Sequence, residues 1–201
     1  MKKFTAIIIG AAIIILMGLA CAVNTEAATV KYAKSVSDFN YNHRYVLEAA
    51  EYPKSSTKKI DGYVATPNST GWMDLKKYTA STAESKHQIW NITNWAYDYD
   101  IGEVTAPSYT ITNSDPLPYW SNAFMGRAIT YTSKGFYRQE EIYGAFGTHY
   151  EHWNSPVQRY KIVKVRTDAK TGRAVFKFVN VKSGKAMCAG GYALFYVRIV
   201  E

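Results

Sequence analysis

The chain has 201 residues and a formal net charge of +8, with 24 Lys or Arg against 16 Asp or Glu. It has two cysteines, Cys21 in an apolar N-terminal segment and Cys188 near the other end. If the apolar segment is removed on export, Cys188 has no partner in the chain, which excludes an internal disulfide. The remaining chain is long enough for one hydrophobic core, so its stability must come from packing.

The N-terminus has the pattern of a secretory signal. Lys2 and Lys3 precede an uncharged stretch from residue 4 to residue 25 that is largely apolar. A basic start, an apolar run and small residues after it predict a signal peptide over residues 1–27. An uncleaved leader would instead anchor the protein in the membrane, and a lipid anchor on Cys21 is a weaker alternative. We therefore expect a secreted or cell-envelope protein with a mature region of residues 28–201.

The first part of the mature region gives short strand signals. Residues 45–52 fit a strand or a short helix that ends before Pro53. Residues 60–66 and 71–78 predict a hairpin, and residues 89–99 predict a half-buried strand.

A possible boundary follows at residues 112–118, which are rich in turn formers and contain two prolines. This stretch is either a boundary between two lobes, 28–115 and 119–201, or a long loop inside one domain. Both arrangements fit the sequence.

The C-terminal part has the clearest strands. Residues 160–167, 173–181 and 192–200 are runs rich in β-branched and aromatic residues, separated by short segments that contain glycine, which predicts an antiparallel meander. No long helical period follows the leader. We therefore predict a mainly β fold, an antiparallel meander that is either barrel-like or a sandwich, after an N-terminal apolar signal helix.

Alternation within these runs predicts which side chains face the core. Ala174, Phe176 and Phe178 lie on one face of their strand, whereas lysine and valine share the other face. The alternation slips by one residue around Ile162 and Val163, which indicates a β-bulge.

Basic residues are concentrated in the C-terminal part of the chain. Residues 30–118 hold 9 Lys or Arg and 10 Asp or Glu, whereas residues 119–201 hold 13 and 5. The polyanions outside a Gram-positive-type cell are teichoic acids and acidic lipid headgroups, and a basic surface attracts them. An exported protein rarely meets nucleic acid, which is therefore not expected as a partner. The predicted ligand-binding residues are Trp72, Arg159, Lys161, Lys164, Arg166, Arg173 and Lys177.

Neither a metal site nor a cofactor site is predicted. His149, Glu151 and His152 are close in sequence, but on a strand His152 points away from the other two. No cysteine pair or further histidine cluster completes a tetrahedral site. Glycine spacings that bind phosphate groups of nucleotides are also absent.

Cys188, followed by a short loop and by Arg198 on the next strand, resembles the C-terminal end of a sortase. The resemblance implies a cysteine transpeptidase with His152, Cys188 and Arg198 as its catalytic residues. Met187 stands where that family has threonine. Because no complete catalytic set is present, we expect a non-enzymatic protein and keep the transpeptidase as an alternative. A secreted effector or bacteriocin-like factor is a further alternative.

The pair Gly71 and Trp72, followed by an apolar residue and a short basic stretch, resembles the closing segment of bacterial SH3-type (GW) cell-wall modules. Residues 160–185 resemble the small basic β repeats of surface-layer-associated proteins. These resemblances imply a small β-barrel that attaches to cell-wall anionic polymers or peptidoglycan, with Gly71 and Trp72 as a barrel-closing pair. Contact with the membrane is expected only through an uncleaved leader.

Overall fold

The computed structural model describes residues 30–40, 42–50, 60–79, 87–93, 108–113, 128–138 and 156–200. The predicted signal helix lies outside these residues. Within them, no helix has the length and apolar character needed to cross a membrane.

Eleven strands and two short 3₁₀ turns, at Val36–Asp38 and Pro156–Gln158, make up the described secondary structure. The strands are β1 Lys31–Tyr32, β2 Arg44–Ala49, β3 Tyr63–Pro67, β4 Met73–Lys77, β5 Trp90–Thr93, β6 Tyr109–Asn113, β7 Ile129–Thr132, β8 Gly135–Arg138, β9 Arg159–Thr167, β10 Ala174–Asn180 and β11 Phe195–Val200.

Nine of these strands form one antiparallel sheet that closes on itself. β11 pairs with β10 and with β2, and β2 also pairs with β5. The circuit continues from β5 through β6 and β9 to β10. β1 pairs with β11, and the β3–β4 hairpin extends from β2. Closure gives each strand of the circuit a partner on both sides. The six strands of this circuit are β2, β5, β6, β9, β10 and β11.

The predicted mainly β, antiparallel fold is confirmed, and the closed circuit selects the barrel-like arrangement. The C-terminal meander is present as β9, β10 and β11, paired in chain order. The ambiguous segment at 45–52 contains a strand, β2, and the predicted 60–78 hairpin is β3–β4.

Three parts of the β structure were not predicted: the short strand β1, strand β6, and the β7–β8 hairpin, which forms a separate two-stranded sheet. β6 includes Thr112 and Asn113, which the sequence placed at the start of a linker, and both residues are buried. The hairpin β7–β8 also has no counterpart among the predicted strands. Strand β6 could not be recognised in the sequence because its residues also suit a turn. Threonine is common in strands as well, and only the pairing with β5 shows that this segment is a strand. Strands from both sides of residues 114–118 therefore pair directly within one sheet.

The core lies inside the closed sheet and is strongly aromatic. Phe39, just after the first 3₁₀ turn, is 4% exposed. Its ring centroid lies 5.2–6.4 Å from those of Tyr45, Tyr109, Phe176 and Phe178. Aromatic groups in such tilted or edge-to-face contacts stabilise a core beyond the area they bury. Phe39 thus packs the segment between β1 and β2 against the interior of the sheet.

Candidate functional site

The β9–β10 hairpin is built around the turn from Asp168 to Arg173. The Asp168 carboxylate accepts the backbone N–H groups of Lys170 and Thr171, each at 2.9 Å. Gly172 has a φ of 68°, in the left-handed region that glycine adopts without steric cost. This turn sets the register of the two strands, because hairpin pairing follows from turn geometry.

The inner face of the hairpin is part of the core. Tyr160, Phe176 and Phe178 have no exposed surface, and Ile162 is 8% exposed. The sequence predicted this face of β10 correctly. Burial of these side chains holds both strands in place and fixes which residues must point outward.

On the side of the hairpin away from these core residues, three cross-strand pairs each combine a cation with a valine, although Val175, in the pair nearest the turn, is itself fully buried. The cross-strand pairs at successive outward levels are Lys161 with Val179, Val163 with Lys177, and Arg166 with Val175. The cation changes strand from one level to the next, because it lies on β9, then β10, then β9. Like charges therefore never face each other directly across the strands, an arrangement that would be destabilising.

A β-bulge in β9 interrupts this ladder. Arg166 pairs with Val175 and Lys164 with Phe176, so Val165 is the additional residue. The bulge predicted around Ile162 and Val163 is therefore present, but at Val165. Val163 and Val165 are 38% and 42% exposed, two of the three large apolar side chains exposed in the described part of the chain.

The predicted basic ligand residues do not all lie on this face. Lys164 is exposed but pairs with Phe176, a residue of the core-facing row. Arg159 lies in the interior, 4% exposed, and its guanidinium donates to the side-chain and backbone oxygens of Ser108 at 2.9 and 2.7 Å. The strand pattern could not show this, because the acceptor, Ser108, lies just before β6 and 51 residues away in the chain. Burial also lowers the pKa of Arg159.

Arg173 is held by neighbouring side chains at the turn end of the hairpin. Its guanidinium lies 4.1 Å from the ring centroid of Tyr32 and 5.5 Å from that of Tyr196, within the range of cation–π contacts. One of its nitrogens lies 3.4 Å from a carboxylate oxygen of Glu48. Tyr32 and Glu48 could not be identified as partners from the local sequence pattern, since neither residue is near Arg173 in the chain.

The same contacts change the acidity of the tyrosines. Tyr32 donates its hydroxyl hydrogen bond to Glu48 at 2.8 Å. Burial, with help from this bond and the negative charge, raises the pKa of Tyr32 to about 12. Burial likewise raises the pKa of Tyr196, whose hydroxyl donates to Asp168 at 2.8 Å. Arg173, Glu48 and Asp168 are therefore engaged within the fold.

Trp72 is in the β3–β4 connection and not on the β9–β10 hairpin. Its ring packs edge-on against Tyr137 of β8, with centroids 5.3 Å apart. Gly71 has a φ of 90°, and a Cβ added there would clash with the Tyr137 ring. The Gly71–Trp72 pair thus joins the β3–β4 connection to the β7–β8 hairpin.

The surroundings of Cys188 favour a neutral thiol. Its Sγ donates to the backbone oxygen of Ala186 at 3.3 Å, and burial raises its pKa. A nucleophilic cysteine needs the opposite shift, since the thiolate is the reactive form. The guanidinium of Arg198 lies 4.9 Å from the Tyr78 ring centroid. His152, the third residue implied by the sortase resemblance, lies outside the described residues.

The described ranges contain no group of three His, Cys, Asp or Glu side chains placed to hold a metal ion. His149 and Glu151, weighed above as ligands together with His152, also fall outside those ranges. No protein-family model matches the chain, and no curated protein sequence is similar to it. A functional proposal therefore rests on the closed sheet and on the cationic outer face of its β9–β10 hairpin.

Proposed function

We propose that this protein is an exported, non-enzymatic component of the cell envelope that binds anionic polymers through the outer face of the β9–β10 hairpin. The observation that carries the proposal is the pair of Lys161 and Lys177, which lie on opposite strands at successive outward levels of the ladder. Lys161 is exposed, and Lys177 is partly exposed.

These cations attract polyanions mainly by releasing the counterions that surround the polymer. The attraction does not depend on the sequence of the polymer, and it falls as ionic strength rises. Two exposed valines on β9 add apolar contact surface beside the charges. Trp72 is left out of the proposed site because its ring packs on Tyr137.

A salt series on purified Gram-positive cell walls tests this function. The exported form of the protein is incubated with walls that retain or lack teichoic acid, and the bound fraction is measured. We expect binding that decreases with salt and with removal of teichoic acid. Absence of binding at low salt would refute the proposal.

A matched pair of variants separates this face from net charge. K161A/K177A removes two lysines of the ladder, whereas K76A/K134A removes two exposed lysines on β4 and in the β7–β8 turn. Both lose the same charge. We expect the first to bind walls clearly more weakly than the second, and equal losses would show that the face has no special role.

A further inference from the structure

One edge of β9 has no partner strand along most of its length. β6 pairs with β9 only at Arg159 and Tyr160, whereas β10 follows the other edge of β9 as far as the turn. Within the described residues, no backbone hydrogen bond reaches the β6 side of β9 between residues 161 and 165. We call this stretch the open edge. The side chains of Lys161 and of residues 163–165 are exposed, so solvent reaches it.

The register with β10 shows which backbone groups lie on the open edge. The N–H group of Val181 donates to the carbonyl oxygen of Arg159, so these residues form a hydrogen-bonded pair of the ladder. Such pairs recur at every second residue of an antiparallel ladder, and the odd-numbered residues of β9 up to 163 therefore bond to β10. The N–H and C=O groups of Ile162 and Lys164 point the other way, toward the open edge.

These backbone groups are what strand addition requires. An extended peptide that lies antiparallel to β9 can bond to them as one more strand of the sheet. The open edge ends at the bulge, where Val165 is the additional residue, and Arg166 beyond it already has a partner within the fold. The edge therefore accommodates about five residues of an added strand.

The charge of the open edge determines which strand can be added. Lys161 and Lys164 are exposed, and no carboxylate in the described part of the chain forms an ion pair with either of them. Asp38, in the 3₁₀ turn near β9, accepts the backbone N–H groups of Lys34 and Ser35. An acidic side chain directly opposite Lys164 is favourable, whereas a basic one is destabilising.

A second copy of the chain is a poor occupant of this edge. Two β9 strands paired antiparallel would bring the lysines of one copy close to those of the other, and lysine on an edge strand opposes such self-pairing. The formal net charge of +8 adds repulsion between copies. Charge complementarity therefore favours an acidic strand from another protein.

We propose that the open edge of β9 binds an extended acidic peptide segment of a partner protein by antiparallel strand addition. An acidic side chain of the segment lies opposite Lys164, and an apolar one lies beside Val163. Hydrogen bonds with the backbone of Ile162 and Lys164 hold the segment, and its acidic residue provides specificity. This interaction is independent of the polyanion binding proposed above, because it uses the edge of the strand.

Methylated peptides distinguish strand addition from attraction by charge alone. The probe is the peptide acetyl-Glu-Val-Glu-Val-Glu-amide. When a glutamate lies opposite Lys164, the glutamate N–H groups face β9 and the valine N–H groups face solvent. One analogue is N-methylated at the glutamates and the other at the valines, so both keep the charge of the probe.

Binding is measured by NMR titration of the exported form of the protein. We expect the valine-methylated analogue to bind like the probe. The glutamate-methylated analogue should lose affinity by about tenfold or more, because it cannot donate the backbone hydrogen bonds to β9. Equal affinity of the two analogues, or no binding of the probe, would overturn the proposal.

Two substitutions at Lys164 separate the backbone from the charge. K164A removes the charge and keeps the N–H group, whereas K164P removes both; proline is tolerated on an edge strand whose N–H group faces solvent. We expect a loss of up to about fivefold in affinity for K164A and no detectable binding for K164P. Equal affinity of the two variants would overturn the proposal. Thermal unfolding shows whether each variant folds, and if K164P does not, the methylated peptides decide.

Amide hydrogen exchange locates the bound peptide. A saturating amount of the probe should slow exchange at Ile162 and Lys164, whereas Val163, which already bonds to β10, should change little. Unchanged exchange at the first two residues would overturn the proposal. Sedimentation tests the other occupant: a dimer of the unaltered protein that K164A or K164P abolishes would assign the edge to a second copy and overturn the acidic partner.

Discussion

The two faces of the β9–β10 hairpin have opposite chemistry although both are built from alternating residues of the same two strands. The inner face is built from Tyr160, Phe176 and Phe178, all fully buried. The outer face carries Lys161 and Lys177 among valines. Because successive side chains of a strand point to opposite sides, stability and surface charge are placed in separate positions. Substitutions on one face should therefore leave the property of the other nearly unchanged.

The outer face itself is not uniform along its length. Near the turn, Arg173 is packed between Tyr32 and Tyr196 and paired with Glu48. At the other end Lys161 is exposed. The turn end therefore contributes to the fold, and we assign ligand binding to the levels of Lys161 and Lys177 beyond it.

The largest expected effect comes from the inner face. Phe178→Ala removes a ring that packs within 6.2 Å of both Phe39 and Phe195. We expect the free energy of unfolding to fall by about 3–5 kcal/mol, because the rest of the core cannot fill the cavity. Urea unfolding measures this loss. The adjacent, half-buried Val179→Ala is the control, expected to cost no more than about 1 kcal/mol, and similar losses would contradict the division between the faces.

A second, smaller effect tests packing where charge has no role. Gly71→Ala combines a left-handed backbone conformation with a clash against Tyr137. Gly62→Ala has a similar φ of 76° but nothing within 4 Å of the new Cβ. The backbone strain alone costs about 1–2 kcal/mol, so we expect a clearly larger loss of thermal stability at Gly71. Equal losses would mean that Tyr137 moves aside freely.

The contacts of Tyr32 at the turn end of the hairpin predict that the stability of the fold decreases at alkaline pH. Because the pKa of Tyr32 is about 12 in the folded protein and 10.0 ordinarily, the folded state holds this proton more tightly than the unfolded state. The resulting stability is complete below pH 10 and is lost as pH rises toward 12. Since Tyr32 is partly exposed, we expect about 1 kcal/mol.

Comparison with Tyr32→Phe isolates this contribution, because the other tyrosines titrate in both proteins. Urea unfolding at several pH values between 9 and 12 should show a steeper decline for the unaltered protein. If both proteins lost stability in parallel as pH rises, the Tyr32 hydroxyl and its bond to Glu48 would make no measurable contribution to stability.

The smallest expected effect on stability belongs to the exposed lysines. Lys161→Ala should change the free energy of unfolding by no more than about 0.5 kcal/mol. The same substitution should reduce the salt slope of polyanion binding by about 0.7. Urea unfolding and calorimetry on one preparation compare the two quantities, and a large loss of stability would contradict the separation of roles.

Much of the hairpin could be predicted from the sequence, because its information is local. Alternating Phe176 and Phe178 marked the buried face, and the glycine-containing turn marked the reversal of the chain. The outward position of Lys177 followed from the same alternation, whereas Lys164 is exposed although it pairs with the core-facing Phe176. β6 was missed because its threonines and asparagine also suit a loop, and burial against β5 and β9 was not visible in the local pattern.

The sequence by itself determined the strand-forming runs of β9, β10 and β11, the buried face of β10 and the basic character of the C-terminal part, since each depends on neighbouring residues. Only the tertiary structure decided that β2 pairs with β11 and closes the sheet. It also decided that Arg159 is interior and that Arg173 meets Glu48 across 125 residues of chain. Periodicity specifies which side of a strand is apolar, but not which distant strand will lie beside it.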